Sequence, residues 1–225
     1  MPSPDGTLRP GSDDALRPAL DDAAAWHALA PLLRPYLPWT SGAMRPAGLA
    51  TVLDDVWFRT PAQVVELGSG VSTVVLARLL RELGTGHLLA VEHDDSWATR
   101  IQRQLDRERL SDVAAVVRAP LRPHVRDWDD TGWYDEDLLE AAVGQQPIDL
   151  LVVDGPPAWQ PGAEHARYPA LGSLAGRLAP GARIVLDDIE RAGEREVLAR
   201  WQQEHDVVFD VHTAAGVAVG AWAGT

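Results

Sequence analysis

Cysteine is absent from the 225 residues, which removes disulfides, zinc-thiolate centres and thiol nucleophiles from consideration. Lysine is absent as well. All 20 basic residues are arginines, so neither a Schiff base nor a lysine general base is available. No apolar run approaches the roughly 20 residues that cross a membrane, and the N-terminus has no basic stretch leading into an apolar one. The expectation is a soluble, cytoplasmic protein. Arginines are outnumbered by 33 acidic residues, giving a net charge of −13 with no basic cluster. Nucleic acids and anionic membranes are bound through clustered cations, so neither is expected as a partner, and a small molecule is. The lysine-free, alanine- and arginine-rich bias fits a GC-rich coding genome. Nothing in the pattern specifies an oligomeric state.

The chain is organised around Val64-Val65-Glu66-Leu67-Gly68-Ser69-Gly70-Val71-Ser72-Thr73. A β-branched apolar run stops at an acid, passes two glycines, and continues as Val74 to Leu80 with helical spacing, which reads as strand, tight turn, helix. Gly68 and Gly70 permit a sharp turn and a close ligand approach. Ser72 and Thr73 stand at the helix N-terminus, where free N–H groups face an anionic group. Such a turn also serves generic nucleotide binding or plain structure. A dinucleotide fingerprint requires a third glycine where Thr73 stands. Glu66 at the strand tip would repel a pyrophosphate and attract an ammonium group, so a nicotinamide-dependent dehydrogenase is disfavoured.

Residues 1–22 mix Pro, Gly, Asp and Ser without periodicity and read as a mobile tail. Residues 23–225 form a single domain. Within it, 23–60 make a helical N-terminal cap, with helical spacing over Ala23–Leu33 and Ala47–Phe58. Further strands are expected over 86–92, 113–118, 148–153 and the residues before Asp188. Helices separate them, and a hairpin of 206–212 and 215–222 closes the chain. Acids end four strands: Glu66, Glu92, Asp154 and the pair Asp187-Asp188. Glu92 lies roughly 20 residues beyond the glycine turn, the spacing of a ribose-binding carboxylate. Open α/β sheets bind ligands beyond the carboxyl ends of their strands.

The Glu66 and Gly-Ser-Gly turn, the Leu178-Ala179-Pro180-Gly181-Ala182 turn and the strand-tip acids together resemble the class I S-adenosylmethionine-dependent methyltransferases, over about residue 47 to the C-terminus. The resemblance implies an α/β Rossmann-like fold: a seven-stranded, mostly parallel sheet with an antiparallel C-terminal hairpin and helices on both faces. It implies S-adenosylmethionine as cofactor, with Glu66 on the amino group, Gly68, Ser69, Gly70, Ser72 and Thr73 around the methionine end, and Glu92 with neighbouring His93 at the ribose. Ala119, Pro120 and Leu121 would lie at the adenine. Asp154 with Asp187-Asp188 resembles the site of the catechol-type, divalent-metal-dependent O-methyltransferases, with Asp188 in place of their asparagine. That implies a Mg²⁺ or Mn²⁺ ion on Asp154, Asp187 and Asp188 and methylation of a hydroxyl on a small molecule, as in bacterial natural-product enzymes. The alternative for the same acids is that Asp154 contacts the cofactor amino group while Asp187 and Asp188 cap a helix. Asp154 and His165 are the candidate catalytic residues, His165 because imidazole titrates near 6.5 and no lysine follows Asp154; a surface histidine is the alternative. A catalytically silent, cofactor-binding subunit that regulates a partner is the competing function.

Overall fold

The computed structural model describes residues 12–224. Helix α1 (Ser12–Leu29) runs into a 3₁₀ turn at Ala30–Leu33, and α2 (Pro46–Arg59) follows. Residues 12–22, assigned by composition to a tail, are helical, whereas 1–11 lie outside the described residues. The reason is tertiary: Arg45 donates from Nε and a terminal nitrogen to Asp22 Oδ2 at 3.1 and 2.9 Å, and the Ala47 N–H donates to Asp22 Oδ1 at 3.1 Å. A composition-based reading has no access to a partner 23 residues away.

The sequence then alternates as expected: β1 (Gln63–Leu67), α3 (Val71–Leu83), β2 (His87–Glu92), α4 (Asp95–Arg107), β3 (Ala114–Arg118), and the short β4 (Leu121–Arg122) and β5 (Trp133–Tyr134). After these come α5 (Glu136–Val143), β6 (Ile148–Val153), α6 (Pro169–Leu174), β7 (Leu178–Asp187), α7 (Ala192–Glu204), β8 (Val207–His212) and β9 (Val217–Trp222). Seven strands form one sheet in the order β3-β2-β1-β6-β7-β9-β8; β4 and β5 pair separately. The contacts among β3, β2, β1, β6 and β7 are parallel, and β9 runs antiparallel to both β7 and β8. This is the sheet that the strand pattern and the resemblance implied.

The alternation of strand side chains decides what each face buries. Val64, Leu88, Leu150 and Val185 face a core completed by α2, α3 and α4, whereas Val65, Leu89, Leu151 and Ile184 face one completed by α5, α6 and α7. Because both faces are covered, the central strands read as continuous apolar runs. Trp201 of α7 is fully buried in the second core, and its indole N–H donates to the Tyr168 carbonyl at 2.8 Å. The order of strands reverses between β1 and β6, and the crevice there is the expected ligand position for an open α/β sheet. Two glycines let the strand tips close up. Gly68 has φ +90°, and a Cβ there would lie 3.1 Å from the Asp154 backbone; a Cβ on Gly155 would lie 2.6 Å from the Tyr134 hydroxyl. Among the described residues no helix is long and apolar enough to cross a membrane.

Candidate functional site

A cavity of about 680 Å³ opens at the carboxyl ends of β1, β2, β6 and β7. One wall is the turn after β1 and the tip of β2: Gly68, Ser69, Gly70, Ser72, Glu92 and His93. The opposite wall carries Asp154, Arg167, Asp188 and Arg191, with Trp159 at the mouth.

The first wall is held by acids bonded to nearby backbone and hydroxyl groups. Glu66, at the tip of β1, has no exposed surface. The Thr73 hydroxyl donates to its Oε2 at 2.5 Å and accepts from the Gly70 N–H at 2.8 Å, which fixes the start of α3. Burial pushes the Glu66 carboxyl up to about 7, against the opposing effect of the Ser72 and Thr73 hydroxyls. Glu66 and Thr73 therefore brace the turn from beneath, and neither lines the cavity as the sequence led us to expect. Glu92 does line it. Its Oε2 accepts from the Ser69 N–H and hydroxyl, both at 3.0 Å, and its Oε1 from the Asp94 N–H and the His93 ring, both at 2.9 Å. Burial opposes ionisation of Glu92, but these bonds outweigh it and lower its pKa below the ordinary value. Gly70 has φ −176°, extended backbone open to any residue, and no atom crowds its missing Cβ beyond Ser72 Oγ at 3.9 Å. Its smallness leaves room at the cavity wall.

Asp154, Asp187 and Asp188 converge as the sequence implied, with one carboxylate oxygen of each within 4.8 Å of the others. They converge on an arginine. The Arg167 side chain is 3% exposed, and a terminal nitrogen lies 3.3 Å from Asp154 Oδ1 and 2.9 Å from Asp188 Oδ2. The guanidinium also donates to the carbonyls of Pro156, Asp187 and Asp154 at 3.3, 3.1 and 3.0 Å and lies 3.6 Å from Glu194 Oε1. Arg191 pairs with Asp188 at 2.7 Å and with Glu194 at 3.1 Å. Burial raises Asp154, Arg167 only partly offsets this, and Asp188 and Glu66 add to it, leaving Asp154 at about 7. Burial, then Asp154 and Asp188, raise Asp187 well above the carboxylate range. The cations facing these acids are already arginines. The divalent ion implied by the resemblance would compete with Arg167 for Asp154 Oδ1 and Asp188 Oδ2, where a guanidinium already serves the acids. Asp188 has φ +62°, a left-handed conformation in which Asn and Asp are enriched among non-glycine residues. The backbone alone accounts for an Asp or Asn at that position.

His165 is not on the cavity wall. Its Nδ1 bonds Asp129 at 2.9 Å, its Nε2 bonds Glu196 at 2.7 Å, and its ring stacks on Trp128 at a centroid separation of 4.0 Å. Burial would lower its pKa, but the two carboxylates outweigh that and raise it. With both nitrogens engaged by carboxylates and its ring off the cavity wall, His165 does not stand where the base anticipated from its sequence position would act. Ala119, Pro120 and Leu121 are also absent from the cavity wall: Ala119 is fully buried with its N–H on the Glu92 carbonyl, and Leu121 pairs with Tyr134 in the small sheet.

Other residues line the cavity as well. Trp97 of α4 donates its indole N–H to the Ser69 carbonyl at 2.7 Å. Residues 40–43, in the aromatic and polar loop before α2, form part of the rim. Tyr134 contributes a hydroxyl that is buried, faces the cavity lining and has no hydrogen-bond partner among the described residues. Arg167 carried no signal, because an arginine in a charged loop announces nothing about burial.

The parallel sheet, the glycine turn at its reversal point and the acids at its strand tips define a Rossmann-like ligand-binding protein. Residues 65–189, more than half of the chain, match the model of a methyltransferase domain family, and the chain belongs to that family. No curated protein matches it in sequence. The fold is shared with the methyltransferase PaMTH1 of Podospora anserina bound to S-adenosylhomocysteine, at 12% identity over 99% of each chain and a TM-score of 0.65. It is also similar to the O-methyltransferase TomG of Streptomyces achromogenes, at 19% identity over 91% of this chain and 90% of that one, with a TM-score of 0.56. A Bacillus cereus O-methyltransferase aligns at 17% identity over 93% and 96%, with a TM-score of 0.56. The chain is accordingly placed among the methyltransferases.

Proposed function

We propose that the methyl acceptor is a hydroxyl of a small molecule. The observation that carries this reading is the single cavity spanning the two walls: its volume of about 680 Å³ lies within the range of small-molecule sites, and an acid stands on the side away from the glycine turn. S-adenosylmethionine supplies an electrophilic methyl group when bound. The residues present fit that cofactor: Gly70 leaves space, α3 offers its N-terminus, and the Tyr134 hydroxyl is an unpaired group at the wall. The ribose hydroxyls would replace Ser69 Oγ and the His93 ring on Glu92, since all the acceptor positions of that carboxylate are filled. The amino group lies toward Asp154, the acid across Gly68, because Glu66 is sealed beneath the turn. On the acceptor side Asp154 takes the hydroxyl proton. Support for that role comes from its place on the cavity wall and from the exclusion of His165 and of lysine. Small hydroxylated compounds also agree with an acidic chain lacking a basic patch.

The test is incubation of the full chain with S-adenosylmethionine and a panel of phenols, enols, sugars, amines and thiols. S-adenosylhomocysteine release together with an O-methylated product by mass spectrometry is the expected result. Transfer confined to amines or thiols would overturn the hydroxyl assignment. Cofactor binding with no transfer to any member would point to the silent regulatory subunit.

A further inference from the structure

The strand-tip acids of β6 and β7 face a cation that belongs to the chain. Arg167 presents five N–H donors in a fixed plane, and oxygens surround that plane: three backbone carbonyls, Asp154, Asp188 and, at longer range, Glu194. The three carbonyls come from both strand tips, so the guanidinium ties the end of β6 to the end of β7. Arg191 covers the outer side of Asp188 and reaches Glu194 as well. A divalent ion entering this cluster would have to compete with a buried guanidinium for Asp154 Oδ1 and Asp188 Oδ2, and loss of a partner from a buried pair is strongly unfavourable.

We propose that Arg167 is the resident counter-cation of this site and holds Asp154 and Asp188 in position at the cavity wall, so that methyl transfer proceeds without any metal ion. Arg167 is a positioning residue in this scheme: it acts through the two aspartates. An ion that gathers two adjacent substrate oxygens is thereby dispensable, and the acceptor class extends to compounds with one isolated hydroxyl. A guanidinium is also fixed in orientation by its carbonyl bonds, whereas an ion is free to exchange with solvent. The position of Asp154 is thus set by the fold and not by ion concentration.

The proposal rests on the methyl-transfer reading for its turnover arm only. Binding of Mn²⁺ to the full chain, followed by paramagnetic resonance of the free ion, requires no acceptor. The expected result is no stoichiometric binding to the wild type at submillimolar Mn²⁺, and undiminished methyl transfer to monophenols and catechols alike after exhaustive chelation. Arg167→Gln, which removes the charge, is expected to acquire one Mn²⁺ per chain while turnover falls about 100-fold, the loss typical of removing a preorganised donor group. Arg167→Lys, which restores charge without the fork, is expected to lie between the two. One tightly bound Mn²⁺ per wild-type chain, activity abolished by chelation, or full turnover in Arg167→Gln would each overturn the proposal. If Arg167→Gln does not fold, the wild-type measurements still decide. Failure to bind S-adenosylmethionine in calorimetry would instead count against the methyl-transfer reading and leave the manganese result standing.

Discussion

The two walls of the cavity keep their acids in place by different means. On the wall of the glycine turn, Glu66 and Glu92 are bonded to hydroxyls and N–H groups that lie within two to 23 residues in sequence and belong to one strand-turn-helix unit and its neighbour. On the opposite wall, Asp154 and Asp188 are held by the guanidinium of Arg167, which reaches the site from a loop between β6 and β7. The first arrangement is made of neutral donors that a ligand hydroxyl can replace one by one. The second is ionic and buried around Arg167, with Arg191 pairing only the outer side of Asp188 and Glu194. Exchangeable donors suit a wall that receives a cofactor, and a fixed cation suits a wall that must keep its acid oriented while acceptors change.

The largest effect is expected where the ionic wall is broken. Arg167→Gln strips the buried acids of their counter-charge, and loss of one partner from a buried pair costs about 3–5 kcal/mol; urea denaturation of the variant against wild type measures it. An equally stable variant would show that the two walls do not differ in this way. On the other wall, Glu92→Ala is expected to weaken S-adenosylmethionine binding about 10- to 100-fold in calorimetry, the worth of roughly 1.5–3 kcal/mol for hydrogen bonds to a charged group. Unchanged affinity would remove Glu92 from the cofactor site.

The glycines sharpen the contrast within a single turn. Gly68→Ala meets a positive φ and the Asp154 backbone, and a strained backbone of this kind costs about 1–3 kcal/mol. Gly70→Ala should stay within about 0.5 kcal/mol of wild type in stability and should lose affinity for the cofactor instead. Thermal melts with and without S-adenosylmethionine separate the two outcomes, and equal melts for both variants would contradict the assignment.

The smallest effect concerns His165, outside both walls. Its pKa is raised in the folded chain, because Asp129 and Glu196 outweigh its burial. A raised folded value contributes stability that is full below the unfolded value of about 6.5 and is lost as pH rises through the folded value. His165→Ala should therefore be less stable than wild type by under about 1 kcal/mol at mildly acidic pH, given solvent screening of partly exposed pairs, with the difference shrinking in alkaline buffer. Turnover of His165→Ala should stay near wild type; a loss of about 100-fold, the scale of a general base, would restore it as a catalytic residue.

Period and punctuation determined much of this protein. Continuous β-branched runs ended by an acid or a glycine left little freedom about the parallel strands, and Val-rich alternation around Thr213-Ala214 led to the closing hairpin. The crevice followed from those strands, since acids at strand ends collect on one edge of a parallel sheet. Tertiary structure decided what the acids do there. Glu66 turned out to accept from Thr73 and to lie off the cavity wall, buried beneath the turn where Gly68 closely approaches Asp154. Leu121 was drawn off the cavity by pairing with Tyr134 across a loop, and His165 was drawn off by Asp129 and Glu196, each more than 30 residues away. Arg167 is the clearest case. A charged side chain in a loop is ordinarily solvated, and only the folded positions of three carbonyls and two aspartates make a buried cation favourable there. Local patterns encode backbone conformation and burial through short-range sterics and periodicity, whereas the partner of a charge is set by which distant segments the sheet order brings together.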